Sequence, residues 1–255
     1  MAEPVWPLPY WIAHRGAGKL APENTLAAFR VGAGHGYRAF ECDVKLSADG
    51  VPFLLHDATL ERTTAARGLA GERSWSELSR VDAGSWHSAN YAGEPIPSFE
   101  AIAAFVRRGD HALDIEIKPT PGQEIATGQA LGSEVLRLWE GAPTLPVFTS
   151  FRPDALQGAR QTAPQVPRGL LLDTLWEGWE RAADALGCLA VITNHKLMSA
   201  ELAQRLHGQG RLALVYTVND RVDAARMAGC GVDGIVTDAV DFFDPSSGPV
   251  TDAAG

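Results

Sequence analysis

The sequence predicts an α/β fold of the TIM (β/α)8 type. Short β-rich runs alternate with helix-like stretches along nearly the whole chain. Its 255 residues suit one such barrel, and two of the runs carry charge on a face that only a barrel mouth accommodates.

The strand-like runs are Trp11–Arg15, Phe40–Leu46, Pro52–His56, Ala112–Lys118, Val147–Phe151, Gly169–Leu172, Ala190–Thr193, Leu212–Val218 and Gly234–Thr237. Most are separated by helix-like stretches: Thr25–Gly32, Phe99–Arg107, Ile125–Trp139, Asp154–Gln161, Leu175–Leu186, Ser199–Leu206 and Asp220–Met227. This alternation calls for parallel strands joined by crossover helices. Nine runs compete for eight barrel positions, so one has another role. Only Ser47-Ala48-Asp49-Gly50-Val51 separates the second run from the third, too short for a crossover. Asp-Gly is a hairpin signal. The third run is therefore expected to fold back antiparallel on the second. With Asp49-Gly50 as the turn, Ala48 pairs with Val51 and Asp43 with His56, unless the register slips by a residue.

Pro22-Glu23-Asn24-Thr25 ahead of Leu26 and Phe29 reads as a helix start, with Asn24 or Glu23 near the cap. Residues 58–97 are the least regular stretch. Trp75, Trp86 and Tyr91 say that it packs, and it reads as an insertion covering one mouth of the barrel. The whole chain, 1–255, is expected to be a single domain, and the tail 245–255, with its Pro, Ser and Gly, to be poorly ordered.

Hydrophobic residues make up 45% of the chain, enough for a sizeable core. No segment approaches the roughly 18 uninterrupted apolar residues of a membrane span. The start, Met1-Ala2-Glu3-Pro4-Val5-Trp6-Pro7, has neither the basic nor the apolar region of an export signal. A cytoplasmic protein without stable membrane association is expected. Cys42, Cys188 and Cys230 are odd in number and lack CxxC spacing, which argues for reduced thiols rather than a disulfide framework or zinc site. A formal charge of −9 argues against the basic face that a nucleic-acid partner needs. It leaves a phosphate ester open, because a bound cation reverses the local field. The oligomeric state is left open.

Buried parallel strands are normally continuous apolar runs. Here Glu41, Asp43 and Lys45 share one face of their strand, with Phe40, Cys42, Val44 and Leu46 on the other. Asp114, Glu116 and Lys118 repeat the pattern against Ile115 and Ile117. The alternation also suits a half-exposed antiparallel strand with a wet face, but in an α/β barrel the apolar faces would pack on helices and the charged faces would point into the barrel. Charges there must be paired or bind a metal. Gathered carboxylates repel one another until their pKa values rise or a cation neutralises them. Hard oxygen ligands favour Mg²⁺ or Ca²⁺ over Zn²⁺.

His14 and His56 stand at strand ends, where a paired acid and base would sit. Arg15 offers a planar fork for phosphate oxygens or for an inter-loop ion pair. Lys118 suits a phosphate or a neighbouring carboxylate, and Tyr216 a pocket wall or the core. Gly16-Ala17-Gly18 lacks the lysine-serine/threonine pair of a phosphate loop. His35, His87, His111, His195 and His207 read as structural.

His14-Arg15-Gly16, Pro22-Glu23-Asn24-Thr25, Glu41-x-Asp43-Val44, Asp49-Gly50 with His56-Asp57, and Glu116-Ile117-Lys118 follow one another in an order that resembles the glycerophosphodiester phosphodiesterases. Ser150-Phe151, Tyr216-Thr217-Val218-Asn219 and Gly234-Ile235-Val236-Thr237-Asp238 extend the resemblance from about Trp11 to Phe243. The run His14 to Phe29, with Leu170–Asp173 and Asn194-His195-Lys196-Leu197, is most similar to the cytoplasmic bacterial members. The resemblance implies a phospholipase-C-like phosphodiesterase barrel with an insertion. It implies a divalent cation, Mg²⁺ or Ca²⁺, on Glu41, Asp43 and Glu116, and general acid and base roles for His14 and His56. It implies that Arg15 and Lys118 contact phosphate, and that Tyr216 walls the pocket where the family often has tryptophan. The implied substrate is a small glycerophosphodiester. Two competing functions are a lipid-cleaving enzyme of the same superfamily, which needs a membrane-docking surface, and a non-catalytic carrier, which has no use for a paired acid and base.

Overall fold

In a computed structural model, which describes residues 5–249, eight parallel strands close into a barrel. They are β1 (Trp11–Ala13), β2 (Ala39–Leu46), β4 (Ala112–Ile117), β5 (Val147–Ser150), β6 (Arg168–Leu172), β7 (Ala190–Asn194), β8 (Leu212–Tyr216) and β9 (Gly234–Thr237). Closure comes from β1, which pairs with β9 on one side and with β2 on the other. The ninth strand, β3 (Pro52–Leu54), is the expected exception and runs antiparallel to β2.

Helices α1 (Leu26–Gly34), α3 (Phe99–Arg108), α4 (Glu124–Leu138), α5 (Pro153–Thr162), α6 (Trp179–Leu186), α7 (Ala200–Gly208) and α8 (Arg221–Cys230) connect the barrel strands, and α2 (Trp75–Leu78) lies in the irregular segment. Their boundaries follow local chemistry. Ser98 caps α3 by accepting from Ala101 N, Arg107 and Arg108 occupy its last turn, and Phe99, Ile102, Ala103 and Val106 form its buried stripe. Asp220 caps α8, and Gly231 ends it in the left-handed region.

Two apolar layers result. Phe40, Cys42, Val44, Ile115 and Ile117 face outward into the core shared with the helices. Inside the barrel, Ile12, Val147, Leu171, Ile192, Leu214 and Val236 form a smaller cluster, against which Trp6 and Leu8 pack. The apolar filling stops short of the C-terminal mouth, and charged residues take over there.

The expected hairpin register is one residue out. Val44 pairs with Leu54, Lys45 with Phe53 and Leu46 with Pro52, so Asp43 lies opposite Leu55, whose N–H donates to Asp43 O at 3.1 Å. The cause is the turn. Ser47 N donates to Val51 O, which leaves a three-residue loop of Ala48, Asp49 and Gly50. Gly50 has φ +81° while Asp49 has a negative φ, whereas a two-residue turn of the favoured type needs both positive. Asp49 is held by Ser47 Oγ and by Trp75 N, the first residue of α2. The helix start differs too. Thr25 caps α1, accepting from Ala28 N, because Asn24 is engaged elsewhere.

Residues 58–97 contain α2 and two 3-10 turns around a core of their own, with Phe53, Leu55, Leu60, Ala70, Leu78, Ala83 and Ile96 buried together. Glu94 Oε1 accepts from Ala27 N at 2.9 Å and ties this segment to α1. Of the tail expected to be poorly ordered, Ser246 and Ser247 hydrogen-bond to Asp244, and residues 250–255 lie outside the described residues. Cys42 and Cys188 are buried and Cys230 partly so, all as free thiols. No helix among the described residues is long and apolar enough to cross a membrane.

Candidate active site

The register between β2 and β4 places Glu41 beside Asp114 and Asp43 beside Glu116. With a side-chain period of two, these four carboxylates share the inner face. One oxygen each from Glu41, Asp43 and Glu116 comes within 4.8 Å of the other two. Glu41 Oε1 and Asp43 Oδ1 are buried without a hydrogen-bond partner, Lys118 Nζ standing 3.4 Å from the latter. Acceptor oxygens left bare at such cost fit a hard divalent cation.

The electrostatics divide the cluster. Burial, reinforced by Asp43 and Glu116, pushes the Glu41 carboxyl well above its ordinary range. Burial and then Asp43 push Glu116 up to about 8, despite Lys118 Nζ at 2.7 Å. Burial also raises Asp43, but Arg15, Lys118 and His56 outweigh it and hold that carboxyl below its usual value. Asp114 lies deeper. Burial pushes it up to about 7, although Thr149 Oγ1 donates to its Oδ1 at 2.7 Å. Burial and mutual repulsion thus raise two carboxyls of the triad, while the flanking cations lower the third.

Each of the two strand-end histidines is held at Nδ1 by an aspartate. Nδ1 of His14 lies 2.6 Å from Asp238 Oδ1, and Nδ1 of His56 lies 2.6 Å from Asp57 Oδ1. In both rings the Nε2 edge is thereby left for the cavity, and that of His14 stands 3.7 Å from Glu41 Oε2. Burial lowers the His56 pKa, partly offset by Asp43. Asp238 is oriented in turn by Asn219 Nδ2 at 3.0 Å. The β1–α1 loop reaches Asp238 because Gly18 has no side chain: a Cβ there would stand 2.1 Å from Asp238 O.

Arg15 and Asn24 occupy left-handed backbone with φ near +51° and +58°, conformations that only surrounding contacts stabilise. Asn24 donates to Asp43 Oδ2 at 2.7 Å and accepts from Asp43 N at 3.0 Å. Arg15 N donates to Glu41 Oε2, its Nε lies 3.1 Å from Asp43 Oδ2, and its Nη1 donates to Glu23 at 2.8 Å. Arg62, in the inserted segment, clamps Glu23 with two bonds of 2.7 Å and Asp57 with bonds of 2.6 and 3.1 Å. One ionic chain thus runs from His56 through Asp57, Arg62 and Glu23 to Arg15 and Asp43.

His14, Arg15, Glu41, His56, Glu116, Lys118 and Tyr216 line one cavity of about 180 Å³, with the fully buried Asp43 at hand. Phe151 and Tyr216 meet edge to face at 5.7 Å, and Lys118 Nζ stands 5.5 Å from the Phe151 ring centre. Tyr216 Oη donates to Leu172 O at 3.1 Å. Sequence reasoning singled out all eight of these residues but missed their holders, Asp238, Asn24, Asp57 and Arg62. Asp57 carries a signal as the neighbour of His56. Asp238 stands in the run Gly234 to Asp238 that carries the resemblance, but its partner lies 224 positions away and nothing local announces the pairing. Among the histidines read as structural, His87 lines a second cavity beside His14.

The model of the glycerophosphoryl diester phosphodiesterase family matches residues 14–242. The glycerophosphodiester phosphodiesterase of Caldanaerobacter subterraneus subsp. tengcongensis is 31% identical, the alignment covering 89% of this chain and 93% of that one. Among solved structures, an Oleispira antarctica phosphodiesterase in complex with the product sn-glycerol-3-phosphate is similar with a TM-score of 0.85 and 30% identity, covering 91% of this chain and 94% of that one. A glycerophosphodiester phosphodiesterase from Agrobacterium tumefaciens gives a TM-score of 0.79 and 28% identity, over 93% of this chain and 99% of that one.

Proposed function

Because the chain belongs to the glycerophosphoryl diester phosphodiesterase family, we propose that it hydrolyses glycerophosphodiesters to sn-glycerol 3-phosphate and an alcohol, in a metal-dependent reaction with His14 and His56 as acid and base. The observation that carries this reading is the convergence of the bare acidic triad, two aspartate-held histidines and two cations on one cavity.

Arg15 and Lys118 bind the phosphoryl oxygens and offset the charge that grows on them. Arg15 has its fork held by Glu23 and Asp43, so it presents a fixed cation rather than a mobile one. Glu41, Asp43 and Glu116 would hold the divalent cation, Mg²⁺ or Ca²⁺, which when bound supplies positive charge against the phosphoryl oxygens and lets the triad ionise fully. One histidine takes a proton at Nε2 from the attacking hydroxyl, of water or of the substrate's own glycerol. The other returns a proton from Nε2 to the departing alkoxide. The aspartates at Nδ1 orient each ring and leave Nε2 facing the cavity. Phe151 and Tyr216 wall the pocket and exclude water from one side of the substrate. In this reading the chain is one catalytic domain with 58–97 as its insertion, and the site serves a small molecule in the cytoplasm.

The test is glycerol 3-phosphate release from glycerophosphocholine or glycerophosphoglycerol by chelator-stripped protein, before and after adding Mg²⁺ or Ca²⁺. Release only with metal supports the whole reading. Release without metal leaves the hydrolysis and overturns the cation's part. No release with either metal and several head groups overturns the function.

A further inference from the structure

Resting on that reading, we infer that a second cavity next to His14 and Arg15 receives the alcohol arm of the diester, with Trp86 and His87 as the residues that read a hydroxyl-bearing arm. The cavity, of about 320 Å³, lies between the β1–α1 loop and the inserted segment. His14 and Arg15 line both this cavity and the one walled by Phe151 and Tyr216. A phosphodiester has two ester arms. With its phosphorus at Arg15, one arm enters each cavity.

The remaining walls define the chemistry of the second arm. Two carboxylates line it, and both are already engaged: Glu23 by Arg15 and Arg62, Asp238 by His14 and Asn219. Lys19 also lines it and forms no ion pair among the described residues. His87 supplies a hydroxyl acceptor. Its Nε2 lies 3.0 Å from the carbonyl of Lys19, which only accepts, so Nε2 carries the hydrogen and Nδ1 is the bare acceptor. That Nδ1 is buried without a partner. A hydroxyl of the arm satisfies it. Trp86 is 41% exposed, pinned through Nε1 to Ala83 O at 2.8 Å, and offers an apolar surface to the carbon skeleton of a polyol.

The experiment compares kcat/KM for glycerophosphoglycerol, glycerophosphocholine and the methyl ester of glycerol 3-phosphate, whose arm is too short to fill the cavity. The ratio of glycerophosphoglycerol to methyl ester is expected to fall about tenfold in Trp86→Ala and His87→Phe, and to be largely restored in Trp86→Phe. Methyl-ester turnover in the same preparations reports an intact fold. A ratio unchanged in both variants overturns the inference and leaves the hydrolase reading standing. Failure of wild type to cleave any of the three diesters overturns the hydrolase reading itself.

Discussion

Replacing Asp114 by Asn tests the electrostatics of the barrel mouth directly. Asp114 is buried behind the triad, and its pKa rises from an ordinary 3.8 to about 7, burial being the larger cause and Asp43 adding to it. Below pH 4 the carboxyl is protonated in folded and unfolded chains alike and contributes nothing. Between about pH 4 and 7 the unfolded chain has lost the proton that the folded chain retains, so stability falls as pH rises. Above about 7 both forms are ionised and the loss is complete. A rise of about 3 in pKa corresponds to about 4 kcal/mol as an upper bound, and relaxation around the charge reduces this to roughly 2–4 kcal/mol. Asn stays neutral and its carbonyl keeps the bond from Thr149 Oγ1. Asp114→Asn is therefore expected to match wild type near pH 4 and to exceed it above pH 7, with a Tm higher by roughly 5–15 °C. The assay is thermal or urea unfolding across this pH range in chelator, so that no cation offsets the carboxylate. A stability difference that stays constant between pH 4 and 8, or an Asn variant less stable at pH 8, would refute the reasoning.

Four other outcomes are expected. Saturating Mg²⁺ or Ca²⁺ raises the stability of wild type by about 2.7 kcal/mol at a hundred times Kd. Melting curves of Asp43→Asn, which removes a central triad carboxylate, should lack this rise. His14→Ala and His56→Ala each lower kcat by about 10²- to 10⁴-fold, and near-normal turnover in both would end the acid–base assignment. Arg62→Ala frees Asp57 and Glu23 together and is expected to lower kcat by about tenfold, with little recovery in Arg62→Lys because an ammonium cannot span both carboxylates; steady-state kinetics decide. Gly50→Ala meets open space but must adopt φ +81°, so urea titration should show a loss of about 1 kcal/mol, smaller in Gly50→Asn.

What the sequence determined by itself is whatever depends on neighbours along the chain. The period of two places Glu41 with Asp43, and Asp114 with Glu116, on inner faces whatever the barrel's details, because outward charge would meet the apolar helix layer. The short gap around Asp49-Gly50 forces a hairpin for the same local reason. Tertiary structure decided the choices between local options of similar energy. Asp-Gly suits turns of two residues or three, and the three-residue form won here with Asp49 bound to Trp75 N, shifting His56 one place beyond Asp43. Asn24 and Thr25 both suit a helix cap, and Asn24 was drawn into a left-handed conformation by its two bonds to Asp43, leaving the cap to Thr25. The pairing of His14 with Asp238 and the bridge of Arg62 between Glu23 and Asp57 exist only because barrel closure and the packed insertion bring distant segments together. No local pattern encodes those contacts, since their energy is gained only after the chain has closed on itself.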